Sequence, residues 1–200
     1  MDNLGFYFLL LLNTIQYVYG VGTNLTPLDF VKTSCKTTRN PALCVNSLSS
    51  YAGSIQRSDQ QLAKAAIAVS LNNAKSAAAL VSKLTGTSKL KPQEYQALKD
   101  CVSSMASCVA SLTQSIQELG KISQFSGQNF NWHMNSLQTW VSSALTNQYT
   151  CTGGFSDSSM NGKVKDAVNK KMTTVSQVTS NALSLVNGFA LRHKQVTHKP

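Results

Sequence analysis

Cys108 and His133 are the first residues to test for chemistry, because a thiol beside an imidazole base is a common way to make a nucleophile. A reactive thiol needs an exposed, electropositive setting. Cys108 instead falls on an apolar stripe of helical period, so it reads as a buried core thiol. His193 and His198 stand in a basic stretch, Leu191 to Pro200, that reads as a solvated tail. Three dispersed histidines with no carboxylate at ligand spacing predict no metal site. The chain also carries no phosphate-cradling glycine loop, no G-x-S-x-G elbow and no clear pair of acids. Its Met and aromatic positions read as core and not as a cofactor pocket. The expectation is a protein that is no enzyme and needs no cofactor.

The remaining cysteines are structural. Phe6 to Leu12 is a short apolar run followed by small residues from Val18 to Gly22, the layout of a signal peptide with cleavage after Gly20 or Gly22. Residues 1–22 are thus a signal peptide and the product is secreted, with no membrane association after cleavage. Five cysteines in an exported chain imply two disulfides and one leftover thiol. Asn24 lies in the chain's one glycosylation sequon.

Eighteen Lys and Arg against eight Asp and Glu give a net charge of +10, or +11 once Asp2 leaves with the signal peptide. Such a balance suits an acidic partner such as nucleic acid, anionic membrane or acidic polysaccharide. No basic block interleaved with aromatic residues is present, which argues against nucleic acid. The scattered lysines allow weak adsorption to an acidic polysaccharide.

The positioning elements are helices. Thr26-Pro27 and Asn40-Pro41 each give a cap residue followed by a proline at the first helical position. They predict two short helices, with Cys35 near the end of one and Cys44 in the first turn of the next. A Cys35–Cys44 bridge closes this hairpin, which is expected to project from the N-terminal end of the bundle. Four long amphipathic segments follow. Their apolar stripes are Ile67, Leu71, Ala74, Ala78 and Val81, then Tyr95 through Leu119, then Phe130, Met134, Leu137, Val141 and Ala144, and lastly Val168 through Leu185. Gly- and Pro-containing breaks separate them, predicting an all-α, antiparallel, up-down-up-down four-helix bundle. The boundaries are 23–55 for the hairpin, 59–190 for the bundle and 191–200 for the tail. Antiparallel packing puts Cys101 and Cys151 at one level, whereas Cys108 lies roughly 10 Å further along its helix. A disulfide requires Cα atoms about 4.4–6.8 Å apart, so Cys101 pairs with Cys151 and Cys108 stays free.

The outward faces of the second and third long helices are rich in Ser, Thr, Asn and Gln, fitting either ordinary surface or an interface to a polar partner. Composition does not choose between these, and four motifs in order carry a further signal. They are F-V-x-x-S-C-x-x-T-x-x-P-x-x-C from Phe30 to Cys44, A-L-K-D-C from Ala97 to Cys101, W-V-S-S-A-L-T-N-Q-Y-T-C-T-G-G-F from Trp140 to Phe155, and S-N-A-L-S-L-V-N from Ser180 to Asn187. Behind a signal peptide, they make the chain resemble plant pectin methylesterase inhibitors, within the group that also holds invertase inhibitors.

The resemblance implies the same bundle, hairpin and disulfide pairs. It also implies a secreted protein of the apoplast and cell wall that binds pectin methylesterase one-to-one and covers its substrate cleft. Carried over by position, the enzyme-facing residues fall at Ser103 on the second long helix and at Gln138 and Thr150 on the third. Relatives can carry an acid at the first of these, from which Ser103 departs. Asn135 and Asn147, on nearby turns, extend the set. The alternative partner is acid invertase, whose inhibitors tend to carry a Pro-Lys-Phe element that this chain lacks. Because the chain stops at Pro200, it reads as a free inhibitor and not as the pro-region of an esterase.

Overall fold

A computed structural model describes residues 25–122, 124, 127–160 and 162–197. The predicted signal peptide, residues 1–22, as well as Asn24 and His198, therefore lies outside the described residues. The fold begins where the sequence marks a helix start: the Thr26 hydroxyl accepts the Asp29 N–H at 3.1 Å, with Pro27 at the first helical position. Helix α1 (Pro27–Cys35) and helix α2 (Pro41–Leu48) form the hairpin, joined by the Cys35–Cys44 disulfide with Cα atoms 5.6 Å apart. A 3₁₀ turn and the one-turn helix α3 (Ala52–Ile55) lead to four long helices. These are α4 (Asp59–Thr85), α5 (Pro92–Ile122), α6 (Gly127–Gly153) and α7 (Lys163–Thr197). No strand occurs among the described residues.

Side-chain pairs fix the direction of every neighbour. Between α5 and α6, Cys101 bonds Cys151, Ser111 meets Ser143, and Glu118 meets His133, so numbers rise on one helix as they fall on the other. Between α6 and α7, Gln138 pairs with Asn187 and Gln148 with Thr179. Gln60 at the start of α4 donates to the Leu119 carbonyl near the end of α5, and Asp59 pairs with Arg192 near the end of α7. The four helices thus close a ring of antiparallel neighbours, the arrangement that short connections favour.

Inside that ring the predicted stripes of α6 and α7 are buried throughout. On α4 the core is centred slightly differently, on Leu62, Ala66, Ile67, Ser70, Ala74, Ala77 and Val81, and Leu71 and Ala78 only flank it. Tyr95, read as the head of the α5 stripe, is exposed; Leu98, Cys101, Met105, Cys108 and Leu112 fill the interior. Ala and Ser make up most of the buried face of α4, whereas α5 supplies larger side chains.

Two further expectations change. The hairpin does not project: Val31, Cys35, Cys44, Leu48 and Ile55 are buried in the same core cluster as the bundle. Asn181 of α7 clamps the hairpin turn, its Oδ1 accepting the Asn40 N–H and its Nδ2 donating to the Asn40 carbonyl, both at 2.9 Å. Burial of the hairpin's apolar side outweighs leaving it in water, and the clamp satisfies two backbone groups that would otherwise be orphaned at the turn. The second change is at the C-terminus, where Leu191 to Thr197 continues α7. His193 is half-buried there and stacks on Phe130, with ring centroids 3.7 Å apart, because the helical repeat carries it onto the α6 side.

Candidate partner-binding face

Helix α6 contains no Asp, Glu, Lys or Arg along its whole length. Its inner face is held by Phe130, Met134, Leu137, Val141, Ala144, Gln148 and Cys151, so the opposite side must face water. On that side a shallow polar groove is lined by Asn135, Gln138, Thr139, Ser142, Ser143 and Thr146. Both flanks are tied to neighbours. Gln138 Nε2 donates to Asn187 Oδ1 on α7 at 2.8 Å, and the Ser143 and Ser111 hydroxyls meet at 3.3 Å on the α5 side. The Thr146 and Thr150 hydroxyls donate to the Ser142 and Thr146 carbonyls of their own helix, which orients their remaining lone pairs outward. A rigid helix therefore presents amides and hydroxyls with no net charge.

The three position-matched residues, Ser103, Gln138 and Thr150, and the two on nearby turns, Asn135 and Asn147, do not all meet in this groove. Asn135 and Gln138 line it, and exposed Thr150 sits one turn beyond Thr146. Half-buried Asn147 lies one turn on from Ser143, on the α5 flank. Ser103 is on α5, exposed and donating to the Lys99 carbonyl at 3.3 Å; the Cys101–Cys151 bond sets it level with the end of α6.

Sequence reasoning missed the aromatic residues around this face. Trp132, Trp140 and Tyr149 are 64%, 40% and 61% exposed, although aromatic positions read as core. The signal was available in the spacing, because all three fall off the Phe130–Met134–Leu137–Val141 stripe. Trp132 also packs edge-on against His133, whose Nδ1 pairs with Glu118 Oε1 while Lys121 Nζ stands 3.7 Å from the other carboxylate oxygen.

Cys108 has the surroundings of a structural thiol. It is fully buried, and its Sγ accepts from Gln148 Nε2 at 3.3 Å. Burial pushes the thiol pKa up, and the Gln148 hydrogen bond opposes this only in part. His133 is engaged with Glu118 on the bundle surface. Nothing in this geometry activates a nucleophile. Among the described residues no group of three or more His, Cys, Asp or Glu side chains could hold a metal ion. Asp157, in the exposed loop between α6 and α7, has its pKa lowered by hydrogen bonds from Ser159 and by the Lys165 charge. Among the described residues no helix is long and apolar enough to cross a membrane.

Residues 29–185 match the family model described as plant invertase/pectin methylesterase inhibitor. Pectinesterase inhibitor 9 of Arabidopsis thaliana is 44% identical over 194 residues, covering 95% of each chain. A 21 kDa protein of Daucus carota is 41% identical over 166 residues, covering 83% of this chain and 86% of its own. Pectinesterase inhibitor 11 of Arabidopsis thaliana is 41% identical over 172 residues, covering 86% and 85%. The crystal structure of a mutant form of an Arabidopsis pectin methylesterase inhibitor superposes with a TM-score of 0.63 at 19% identity, over 78% of this chain and 95% of that one. That likeness establishes the fold, and the sequence matches establish the kinship. With its bundle, hairpin and two disulfides, the chain belongs to the plant invertase/pectin methylesterase inhibitor family.

Proposed function

We propose that the protein is a secreted inhibitor of pectin methylesterase, acting by occupying the enzyme's substrate cleft with the outer face of α6 and the adjacent edge of α5. The observation that carries this reading is the near full-length match to a chain named a pectinesterase inhibitor. The charge-free polar surface of α6 supports the mode of action: a cleft built to hold a hydroxyl-rich polymer offers many hydrogen-bonding groups, and amides and hydroxyls on a rigid helix can answer them at little entropic cost. Asn135, Gln138, Asn147, Thr150 and Ser103 supply the polar contacts. Two disulfides suit an exported protein of the cell wall, because such bonds persist in oxidising compartments.

The test is a paired inhibition assay of the oxidised, secreted protein on a plant pectin methylesterase and a plant acid invertase. Loss of esterase activity alone supports the reading, and loss of invertase activity alone replaces it with the sister activity of the family. Thr150→Arg combined with Asn135→Arg should then abolish inhibition while the helical circular dichroism stays unchanged. Full inhibition by that folded variant would move the interface off α6.

A further inference from the structure

Charge is divided unevenly among the four long helices. Helices α4 and α7, which lie side by side, carry nine Lys and Arg against two acids, whereas α5 and α6 carry two against three. One of the two acids, Asp59, is neutralised by Arg192 at 2.5 and 2.6 Å. The surplus collects at one end. The Asp59–Arg192 pair fixes the register of α4 against α7, as does a small cavity where Ala66 and Val69 face Val178 and Asn181. Continued in the same antiparallel sense, that register brings Lys83 beside the first turns of α7, which hold Lys163, Lys170 and Lys171.

Lys83, Lys163 and Lys170 are exposed and Lys171 is half-buried. Among the described residues none of the four is in an ion pair. Lys91 and Lys165 are tethered at the same end, their ammonium groups donating to the Ser159 and Asp157 carbonyls. The exposed acids at this end are Asp100, Asp157 and Asp166, too few to balance the lysines. Clustered like charges repel and do nothing for the fold, so the cluster is explained best by a counter-charge outside the chain. Neither α4 nor α7 exposes a Trp, Tyr or Phe, so this side has no platform for stacking bases. It also lies away from the uncharged α6 face.

We propose that the α4–α7 face binds the carboxylates of a linear acidic polysaccharide, the de-esterified polyuronate that an esterase leaves behind, while α6 remains free for the enzyme. The choice of polyuronate among polyanions rests on the functional reading above, since ester hydrolysis on the polymer is what frees its carboxylates. Binding here would hold the inhibitor on wall regions where the enzyme has already worked.

The experiment measures binding of the full mature chain to polygalacturonate, to highly methyl-esterified pectin and to duplex DNA, at low and high salt. A basic group near an anionic surface contributes roughly fivefold in affinity, so Lys83→Gln/Lys170→Gln/Lys171→Gln should weaken polygalacturonate binding on the order of 100-fold. The control Lys32→Gln/Lys36→Gln/Lys121→Gln, which removes equal charge from exposed positions on α1, just after it and at the far end of α5, should change it several-fold less. Binding should fade as the screening length falls from about 10 Å at 0.1 M salt to about 3 Å at 1 M. Equal loss in both variants would overturn the assignment of the face. Equal retention on methyl-esterified pectin or on DNA would overturn the assignment of the ligand. Esterase inhibition, read separately, should survive in the first variant. A wild-type chain that binds polygalacturonate but inhibits nothing would sink the inhibitor reading and leave this surface standing.

Discussion

Gln148 sits in the middle of the bundle, fully buried, and its amide is only half satisfied. Nε2 donates to Thr179 Oγ1 at 3.1 Å and to Cys108 Sγ at 3.3 Å, whereas Oε1 has no hydrogen-bond partner among the described residues. Replacing it by leucine, Gln148→Leu, removes one ordinary hydrogen bond contributing about 1 kcal/mol and a weaker one to sulfur. The Thr179 hydroxyl is not stranded by the change, because it donates to the Val175 carbonyl at 2.8 Å. On the other side, the substitution removes a buried unpaired carbonyl that costs about 1–3 kcal/mol and puts an apolar group of similar size in its place. The balance favours the variant by about 1 kcal/mol. Urea unfolding should show the midpoint rising by about 0.5 M with an unchanged slope, for a slope near 2 kcal/mol/M. Gln148→Ala provides the contrast, since it leaves a void as well and should destabilise by about 2 kcal/mol or more. A Gln148→Leu protein less stable than wild type by more than about 1 kcal/mol would refute the reasoning, because the amide would then have to be fully paired.

Other outcomes follow from the same geometry. Asn181→Ala should cost about 2 kcal/mol, by stripping the Asn40 N–H and C=O of their partners, and hydrogen exchange should rise across residues 27–55 before it rises in the bundle. Breaking Cys101–Cys151, which spans 50 residues, should cost about 4 kcal/mol, against about 2.6 kcal/mol for Cys35–Cys44, which spans 9; guanidinium unfolding of the paired alanine variants reads the difference, and equal losses would count against loop entropy as its source. Cys108, whose folded pKa lies above the ordinary 9.0, keeps its full contribution below that value and loses stability as pH rises through the folded pKa. Unfolding free energy should therefore fall above about pH 9, less steeply in Cys108→Ala, and iodoacetamide should label the thiol only after unfolding.

Helical period, capping residues and the cysteine spacing were enough to read the bundle and both disulfides from the chain, because these depend on local geometry and on the level at which antiparallel helices meet. The stripes of α6 and α7 are legible for the same reason: every third or fourth residue must be apolar if one side is to be buried. The same logic misplaced Tyr95, because at a helix end a periodic position can lie past the edge of the core. It also left the hairpin projecting, since the bond from Asn181 to Asn40 joins residues 141 positions apart and no local signal announces it.

The sequence by itself determined the helices, their order, the cysteine pairs and the kinship carried by motifs such as W-V-S-S-A-L-T-N-Q-Y-T-C, all of which are properties of near neighbours along the chain. Only the tertiary structure decided which exposed groups share a surface. Lysines scattered through the chain become one basic face when α4 lies against α7, and an uncharged helix becomes a separate polar face beside α5. Charges act through space across distances set by packing and screening, so the sorting of one face from the other appears only once the helices are placed.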